Sequence, residues 1–161
     1  MDSPDEIQVE IKVKNPLEDV IEQELNLSNE LESYGFINTG VPHLVLKTES
    51  DLDELDVFKL GRDIRYHKMF HPNGTNVNFI EVTDSNQLQV RTYERGVENE
   101  TLSCGTGIIA SVLAFWHRTG ADPTEIEVNT LGGKLSVYYQ SGKLMLKGPA
   151  RATFVGKYLN V

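Results

Sequence analysis

The fold is decided by Ile108-Ile109-Ala110-Ser111-Val112-Leu113-Ala114-Phe115-Trp116, the most apolar stretch of the 161-residue chain. A helix over this stretch is apolar on nearly all sides, so other structure must enclose it. Gly120 is well placed to end the helix, and Pro123 follows just beyond. The stretch therefore predicts one buried helix with the rest of the chain packed around it.

Most of the remaining sequence is predicted to form strands. Residues 7–13 alternate apolar and polar side chains, which is typical of a half-buried strand. Extended segments are predicted over 35–47, with breaks at Gly40 and Pro42, and short strands over 125–159. Two more strands are predicted at 75–83 and 87–94, after a turn at 71–74.

Two segments are less regular. Residues 53–66 have the pattern of an amphipathic helix, although Gly61 is unfavourable inside one. Residues 16–33 are acidic with weak periodicity, which fits a loop, an irregular strand or a short helix. We expect one domain over residues 1–161, of class α+β, with a curved antiparallel sheet or incomplete barrel wrapped around one buried apolar helix.

The charge of the chain excludes some classes of partner. The net charge is −9, and residues 1–32 carry ten acidic and two basic side chains. Without a cluster of Lys and Arg, we expect no binding to nucleic acid or anionic lipid. No apolar run is long enough to cross a membrane, the N-terminus is too acidic for a signal peptide, and a lone cysteine forms no internal disulfide, so we expect a cytoplasmic protein.

Cys104 lies directly before Gly105-Thr106-Gly107, at the predicted start of the buried helix. Helix N–H groups and the helix dipole stabilise a thiolate at this position. The two glycines weaken the helix where it should nucleate, which makes sense if bare backbone N–H groups approach an anion such as a carboxylate. A thiolate beside a carboxylate acts either as a nucleophile or as a base that removes the α-proton, and composition does not separate these two chemistries.

Four motifs in order make the chain resemble the diaminopimelate epimerase family over roughly residues 35–155. They are Thr39-Gly40-Val41-Pro42-His43, then Gly74-Thr75-Asn76-Val77-Asn78-Phe79, then the segment from Tyr93-Glu94-Arg95-Gly96 to Cys104-Gly105-Thr106-Gly107, and the turns Gly132-Gly133 and Gly148-Pro149-Ala150. The resemblance implies the C-terminal half of an enzyme that interconverts LL- and meso-diaminopimelate without a cofactor or a metal. In that family two cysteines exchange a proton at the α-carbon, in the synthesis of lysine and cell-wall precursors.

The resemblance also implies a role for individual residues. Cys104 would be one of the two catalytic cysteines, and His43 would lie close to the catalytic pair. Backbone N–H groups of Gly105 and Thr106 would hold the α-carboxylate. The remaining substrate contacts are implied for Asn76, for Glu94, which would hold the ammonium group and belong to the catalytic set, and for Arg95, which would meet the distal carboxylate.

The chain departs from the family pattern in three ways. Val41 replaces the usual substrate-contacting Asn, and the loop between Glu94 and Cys104 is one residue longer. The N-terminal half of the family's enzyme, with its second cysteine, has no counterpart here, because Cys104 is the only cysteine. Inversion needs an acid and a base on opposite faces of the carbon, so we expect this chain to be a fragment that is inactive alone and that needs the missing half as its partner.

The sequence is also compatible with two other hypotheses about function. The chain could be a non-catalytic half-barrel that binds an anion or self-associates, with the exposed inter-domain face forming a homodimer. It could also be a relative of proline racemase, which uses paired cysteines as well. Glu94, Arg95 and Asn76 favour the diaminopimelate type, since a second substrate carboxylate needs a cation.

Overall fold

A computed structural model describes residues 5–13, 31–121 and 125–157. The strands in these ranges are β1 (Asp5–Ile11), β2 (Leu31–Asn38), β3 (Pro42–Thr48), β4 (Asn76–Asp84), β5 (Gln87–Glu94), β6 (Asn99–Thr101), β7 (Ile126–Thr130), β8 (Gly133–Gln140) and β9 (Lys143–Ala150). The helices are α1 (Val57–Arg65) and α2 (Gly105–Thr119), and two short 3-10 turns, Leu52–Glu54 and Lys68–Phe70, flank α1.

The strands form one open sheet in the order β1-β9-β8-β7-β5-β4-β3-β2, with β6 paired to β5. The α+β class is confirmed. The predicted antiparallel pairing holds for six of the eight described strand pairs. The other two, β3 with β4 and β5 with β7, are parallel, so the sheet is mixed. Each parallel pair is joined through a helix, α1 in the first case and α2 in the second, and such a crossover returns the chain to the end of the sheet where the previous strand began.

Helix α2 packs on one side of the sheet, which we call the α2 face. Its residues from Gly107 to Trp116 are all buried, as the apolar stretch predicted. Gly120 ends the helix in a left-handed conformation at φ 65°, which also confirms its predicted role. The sheet contributes inward side chains from many strands to this core, among them Val45, Ile80, Val90, Val128 and Val137.

The opposite side of the sheet, the α1 face, carries the second core. Helix α1 lies inside the predicted segment 53–66 and packs Val57 and Ile64 against strand residues such as Phe79. Gly61 is explained by its neighbour, since a Cβ at this position would overlap Cβ of Tyr93. Strand side chains alternate between the two faces, so that Tyr93 points to α1 whereas Thr92 and Glu94 point to α2.

The other strand predictions agree with the structure, with four exceptions. Short strands were predicted over 125–159, but residues 151–157 form no strand. Residues 16–30 lie outside the described residues, and the short strand β6 was not predicted. Strand β1 is only partly packed: Ile7 and Val9 are 51% and 49% exposed, whereas Ile11 and Val13 contact the α2 core. The reason is that β1 is the edge strand, paired with β9 alone among the described strands, and its first half extends beyond the core.

Candidate functional site

The candidate site lies where α2 begins. Cys104 is the N-cap of α2, with extended backbone angles of φ −128° and ψ 108°, and its side chain makes no capping hydrogen bond. The first intrahelical bond runs from the Ile108 N–H to the Cys104 carbonyl oxygen at 2.9 Å. Helix geometry therefore leaves the N–H groups of residues 105–107 directed past the helix end, where they can receive an anion.

The ends of β3, β4 and β5 bring polar side chains to this helix start. His43 pairs with Asn76 in the parallel register of β3 and β4, and both are buried. Asn78 lies two residues further along β4 and is fully buried on the same face. The α2 face is thus apolar along most of the helix and polar at the N-terminus of the helix.

Thr106 is the centre of the contacts between these elements. Its Oγ1 lies 3.1 Å from Nε2 of His43 and 3.5 Å from Sγ of Cys104. Its carbonyl oxygen accepts a hydrogen bond from the hydroxyl of Thr39 at 3.0 Å. Side chains of Cys104, Thr106 and His43, which the sequence placed in one site, are therefore in contact.

Asn76 joins the ends of three strands. Its Nδ2 donates to the carbonyl oxygen of Pro42 at 2.9 Å, and its Oδ1 accepts from the backbone N–H of Arg95 at 2.8 Å. Strand alternation directs Glu94 to the α2 face, beside Asn76. Arg95 also donates from Nη1 to the carbonyl oxygen of Asn73 at 3.2 Å. The predicted residues Asn76, Glu94 and Arg95 hence lie together at the strand ends.

The longer loop after Arg95 is held by a charged contact. Glu98 adopts φ 58°, a left-handed conformation that is uncommon for a residue with a side chain. Its carboxylate accepts hydrogen bonds from Arg65 at 3.1 Å and from the Gly96 N–H at 3.0 Å, and its second oxygen lies 3.4 Å from the hydroxyl of Tyr93. These contacts fix the loop that carries Arg95 at its start.

Burial controls the charge of His43. The ring is completely buried, and this desolvation lowers the pKa of His43 from 6.5 to about 4. The nearby positive charge of Arg95 acts in the same direction. His43 is consequently neutral at pH 7, with a single proton on one of its two ring nitrogens.

The sequence did not assign a role to three residues that the structure places in this network. Asn78 contacts His43 and Leu44, Thr92 donates to Oδ1 of Asn78 at 3.0 Å, and Thr39 supports Thr106. The available signal was strand periodicity, because Asn78 and Thr92 continue the rows of inward positions that hold the core residues Ile80 and Val90. Val41 lies half-buried in the turn before β3, where its carbonyl oxygen accepts from the Thr39 N–H at 3.2 Å.

Other features of the described residues do not add to the site. A shallow cavity of about 390 Å³ lies between β1, β7, β8 and β9, and Cys104 does not line it. Four of its five charged side chains form ion pairs, Lys134 with Glu127 and Lys147 with Glu6, and the fifth, Glu125, accepts from the hydroxyl of Ser136. The parts of the chain that are described hold no group of three His, Cys, Asp or Glu side chains suited to a metal ion. Neither α1 nor α2, the helices in those parts, has the length and apolar character to span a membrane.

The chain is similar to known proteins over most of its length. The family profile described as diaminopimelate epimerase matches residues 35–153. Diaminopimelate epimerase of Hydrogenobaculum sp. is 45% identical over 123 residues, which are 75% of this chain and 44% of that protein. The Aquifex aeolicus enzyme is 47% identical over 62% of this chain and 36% of its own length, and the Archaeoglobus fulgidus enzyme is 47% identical over 74% and 41%. The chain thus spans less than half the length of these relatives.

Solved structures of similar shape come from the phenazine biosynthesis protein PhzF family. The Enterococcus faecalis protein has a TM-score of 0.49 at 15% identity, covering 76% of this chain and 39% of its own. The Bacillus anthracis protein has a TM-score of 0.49 at 18% identity, covering 90% and 54%. These likenesses are too weak to bear on function.

Proposed function

The chain belongs to the diaminopimelate epimerase family, and we propose that it supplies one half of an active site that interconverts LL- and meso-diaminopimelate. In this proposal a proton leaves one face of the α-carbon and another is added to the opposite face, with cysteine thiols as base and acid and no cofactor. The observation that carries the proposal is Cys104 at the N-cap of α2, with its sulfur 3.5 Å from the Thr106 hydroxyl and its side chain not used for capping.

Cys104 is assigned the proton transfer on one face of the α-carbon. A thiolate at a helix N-terminus is stabilised by the helix dipole and by the N–H groups directed past the helix end. The α-carboxylate would bind the N–H groups of Gly105 and Thr106, which hold negative charge without a counter-charged side chain. This arrangement places the α-carbon next to the sulfur and stabilises the charge that develops on the carboxylate when the proton leaves.

The distal end of the substrate is assigned to the strand ends. Arg95 has five N–H donors in a planar fork, which suits a carboxylate, and Glu94 on the α2 face suits the ammonium group. Asn76 has one hydrogen bond from its amide nitrogen and one to its amide oxygen, so that one N–H and one lone pair remain for the substrate. The pairing of Arg95 with a second carboxylate favours diaminopimelate over a proline-like substrate.

The second proton-transfer group must come from elsewhere, because these 161 residues contain one cysteine. We propose that a partner half, equivalent to the N-terminal half of the relatives, supplies it. Leu102 and Leu131 are 68% and 54% exposed and lie close together, since the Gly132 N–H donates to the Leu102 carbonyl oxygen at 2.7 Å. Leu102 precedes Cys104 by two residues, and this exposed apolar pair is suited to contact the partner half.

A homodimer through the same exposed pair is the non-catalytic alternative. Size-exclusion chromatography of the chain, with and without a reductant, separates the two ideas: a monomer removes the homodimer, and a dimer that is dispersed by Leu102→Glu supports it. We further propose a cytoplasmic location, where a lone thiol stays reduced.

The proposed reaction is tested in deuterated water by conversion of LL- into meso-diaminopimelate, that is, by exchange of the α-proton with inversion, which is called exchange below. We expect the chain alone to give no exchange, and the chain mixed with the N-terminal half of the Hydrogenobaculum enzyme to restore it. Cys104→Ala in the mixture should abolish the exchange. The control variant His117→Gln, which keeps Cys104 and changes an exposed position on α2, should retain it. Exchange by the chain alone, or exchange that survives Cys104→Ala, would overturn the proposal.

A further inference from the structure

A continuous series of hydrogen bonds leads from β4 to the thiol. Nδ2 of Asn78 lies 3.0 Å from the carbonyl oxygen of Leu44 and 3.1 Å from Nδ1 of His43. Nε2 of His43 lies 3.1 Å from Oγ1 of Thr106, and that oxygen lies 3.5 Å from Sγ of Cys104. Three side chains therefore connect a backbone carbonyl in β3 to the sulfur.

The orientation of the Asn78 amide follows from its partners. A backbone carbonyl oxygen only accepts hydrogen bonds, so the atom facing Leu44 must be the amide nitrogen. The amide oxygen then faces Thr92, whose hydroxyl donates to it at 3.0 Å. The nitrogen has two protons, and the second is directed at Nδ1 of His43, which must therefore accept.

The position of the proton on His43 follows in turn. Burial lowers the pKa of His43 to about 4, so the ring is neutral at pH 7 and carries a single proton. Since Nδ1 accepts from Asn78, that proton is on Nε2 and is donated to Thr106. The charged groups near this ring are Arg95 and, on the same face of the sheet, Glu94, and the first turn of α2 has no acidic residue.

Thr106 completes the series. Its oxygen accepts from His43, so its own hydroxyl proton must be donated to another acceptor, and Sγ of Cys104 is within reach. All the hydrogen bonds then run in one direction, from Asn78 towards the sulfur. A hydroxyl donor at the sulfur favours the thiolate over the thiol.

We propose that Asn78 is a positioning residue that fixes the proton of His43 on Nε2 and thereby directs the Thr106 hydroxyl at the Cys104 thiolate. The proposal rests on the proposed function, in which Cys104 transfers the proton. It changes the role expected for His43: the ring donates into the series and does not accept the proton of Cys104. Gly107 belongs to the same arrangement, because a Cβ there would overlap Oδ1 of Asn78.

The test is the pH profile of Cys104 alkylation by iodoacetamide, measured on the chain itself. Asn78→Asp reverses the series, since a carboxylate accepts a hydrogen bond from an Nδ1–H group. The single proton of the neutral ring is then on Nδ1, and Nε2 accepts from Thr106. We expect the midpoint of the profile to move up by about one pH unit, or about tenfold slower alkylation at pH 7. Thr106→Val should cause a similar shift without a change of charge, and Thr106→Ser should retain the wild-type profile. The control His117→Gln, at an exposed position on α2, should leave the profile unchanged.

A double variant separates the hydrogen-bond series from simple charge repulsion. In the Thr106→Val background the series is already broken, so Asn78→Asp should add no further shift. An equal shift in both backgrounds means that the new carboxylate acts by charge alone and overturns the proposal. Nitrogen NMR of the imidazole gives an independent check, because a proton on Nδ1 of His43 in the wild-type chain would contradict it.

These outcomes are distinct from those of the proposed function. Alkylation needs no substrate and no partner half, so an unchanged profile in Asn78→Asp and Thr106→Val overturns the positioning role whether or not exchange is found. Absence of exchange in the mixed halves, with the alkylation shifts intact, overturns the epimerase proposal instead. Thermal unfolding of each variant confirms that the compared chains are folded.

Discussion

The two faces of the sheet use buried polar groups in opposite ways. On the α1 face, Arg91 is an ionic clamp: it pairs with Glu100 at 2.6 Å and donates from Nη1 to the carbonyl oxygens of Leu52 at 2.7 Å and Leu55 at 3.1 Å. On the α2 face, the buried groups near Cys104 are neutral and form a directed series through His43. Charged clamps hold loops in place, whereas the neutral series orients one proton at one sulfur.

The difference follows from what each helix presents to the sheet. Helix α1 is short and is preceded by a turn whose carbonyl groups need hydrogen-bond donors. Arg91 on β5 supplies these donors. Helix α2 presents its N-terminus, where an added negative charge would compete with a bound carboxylate for the backbone N–H groups. Neutral side chains next to that N-terminus keep it available for an anion.

The largest effect is expected from breaking the clamp on the α1 face. Arg91→Met leaves Glu100, whose side chain is 19% exposed, without its partner and removes the donor for the carbonyl groups before α1. We expect the free energy of unfolding to fall by about 3 kcal/mol, as for other largely buried ion pairs that lose one member. Urea unfolding measures this loss, and the alkylation profile of Cys104 should stay as in the wild type.

The matched control is the double variant Arg91→Met/Glu100→Gln. It removes the unpaired carboxylate and should recover part of the lost stability. A double variant that is as unstable as the sum of both single variants would contradict the pairing of these two side chains. A changed alkylation profile in Arg91→Met would contradict the independence of the two faces.

The next effect concerns His43 on the α2 face. Because the folded pKa of about 4 lies below the unfolded value of 6.5, the unfolded chain binds the extra proton first as the pH falls. The contribution of the neutral ring to stability is complete above pH 6.5 and is lost between pH 6.5 and 4. The loss attributable to this one group is about 3 kcal/mol.

The measurement compares the unfolding free energy of the wild type with that of His43→Gln at several pH values. From pH 7 to pH 4, the unfolding free energy of the wild type should fall by about 3 kcal/mol relative to that of the variant, because Gln does not titrate. His117→Gln, at an exposed position on α2, should follow the wild type. A constant difference across this pH range would show that His43 is not buried as a neutral ring.

Local sequence patterns predicted much of the α2 face. The apolar stretch over 108–116 and the glycines at 105, 107 and 120 predicted α2, its burial and both its ends, because such patterns are local. The motifs also placed Cys104, Thr106 and His43 in one site, and the structure brings these three side chains into contact. Their roles in catalysis stay predictions.

The parts that were missed depend on contacts between distant segments. The parallel pairing of β3 with β4 follows from the path of the chain through α1, which periodicity within each strand does not encode. The role of Asn78 depends on Leu44 and His43, 34 and 35 residues away in sequence. A polar residue at an inward strand position indicates that a buried partner exists but does not identify it.

The smallest effect is expected from adding a methyl group at one of two glycines, one on each face of the sheet. Gly61→Ala places a methyl group against Cβ of Tyr93, and Gly107→Ala places one against the amide oxygen of Asn78. We expect each to lower the free energy of unfolding by about 2 kcal/mol, the usual cost of overpacking, measured by urea unfolding. Only Gly107→Ala should also slow the alkylation of Cys104, because it displaces the amide that fixes the proton of His43. Equal alkylation in the two variants, at equal loss of stability, would show that the Asn78 series does not reach the sulfur.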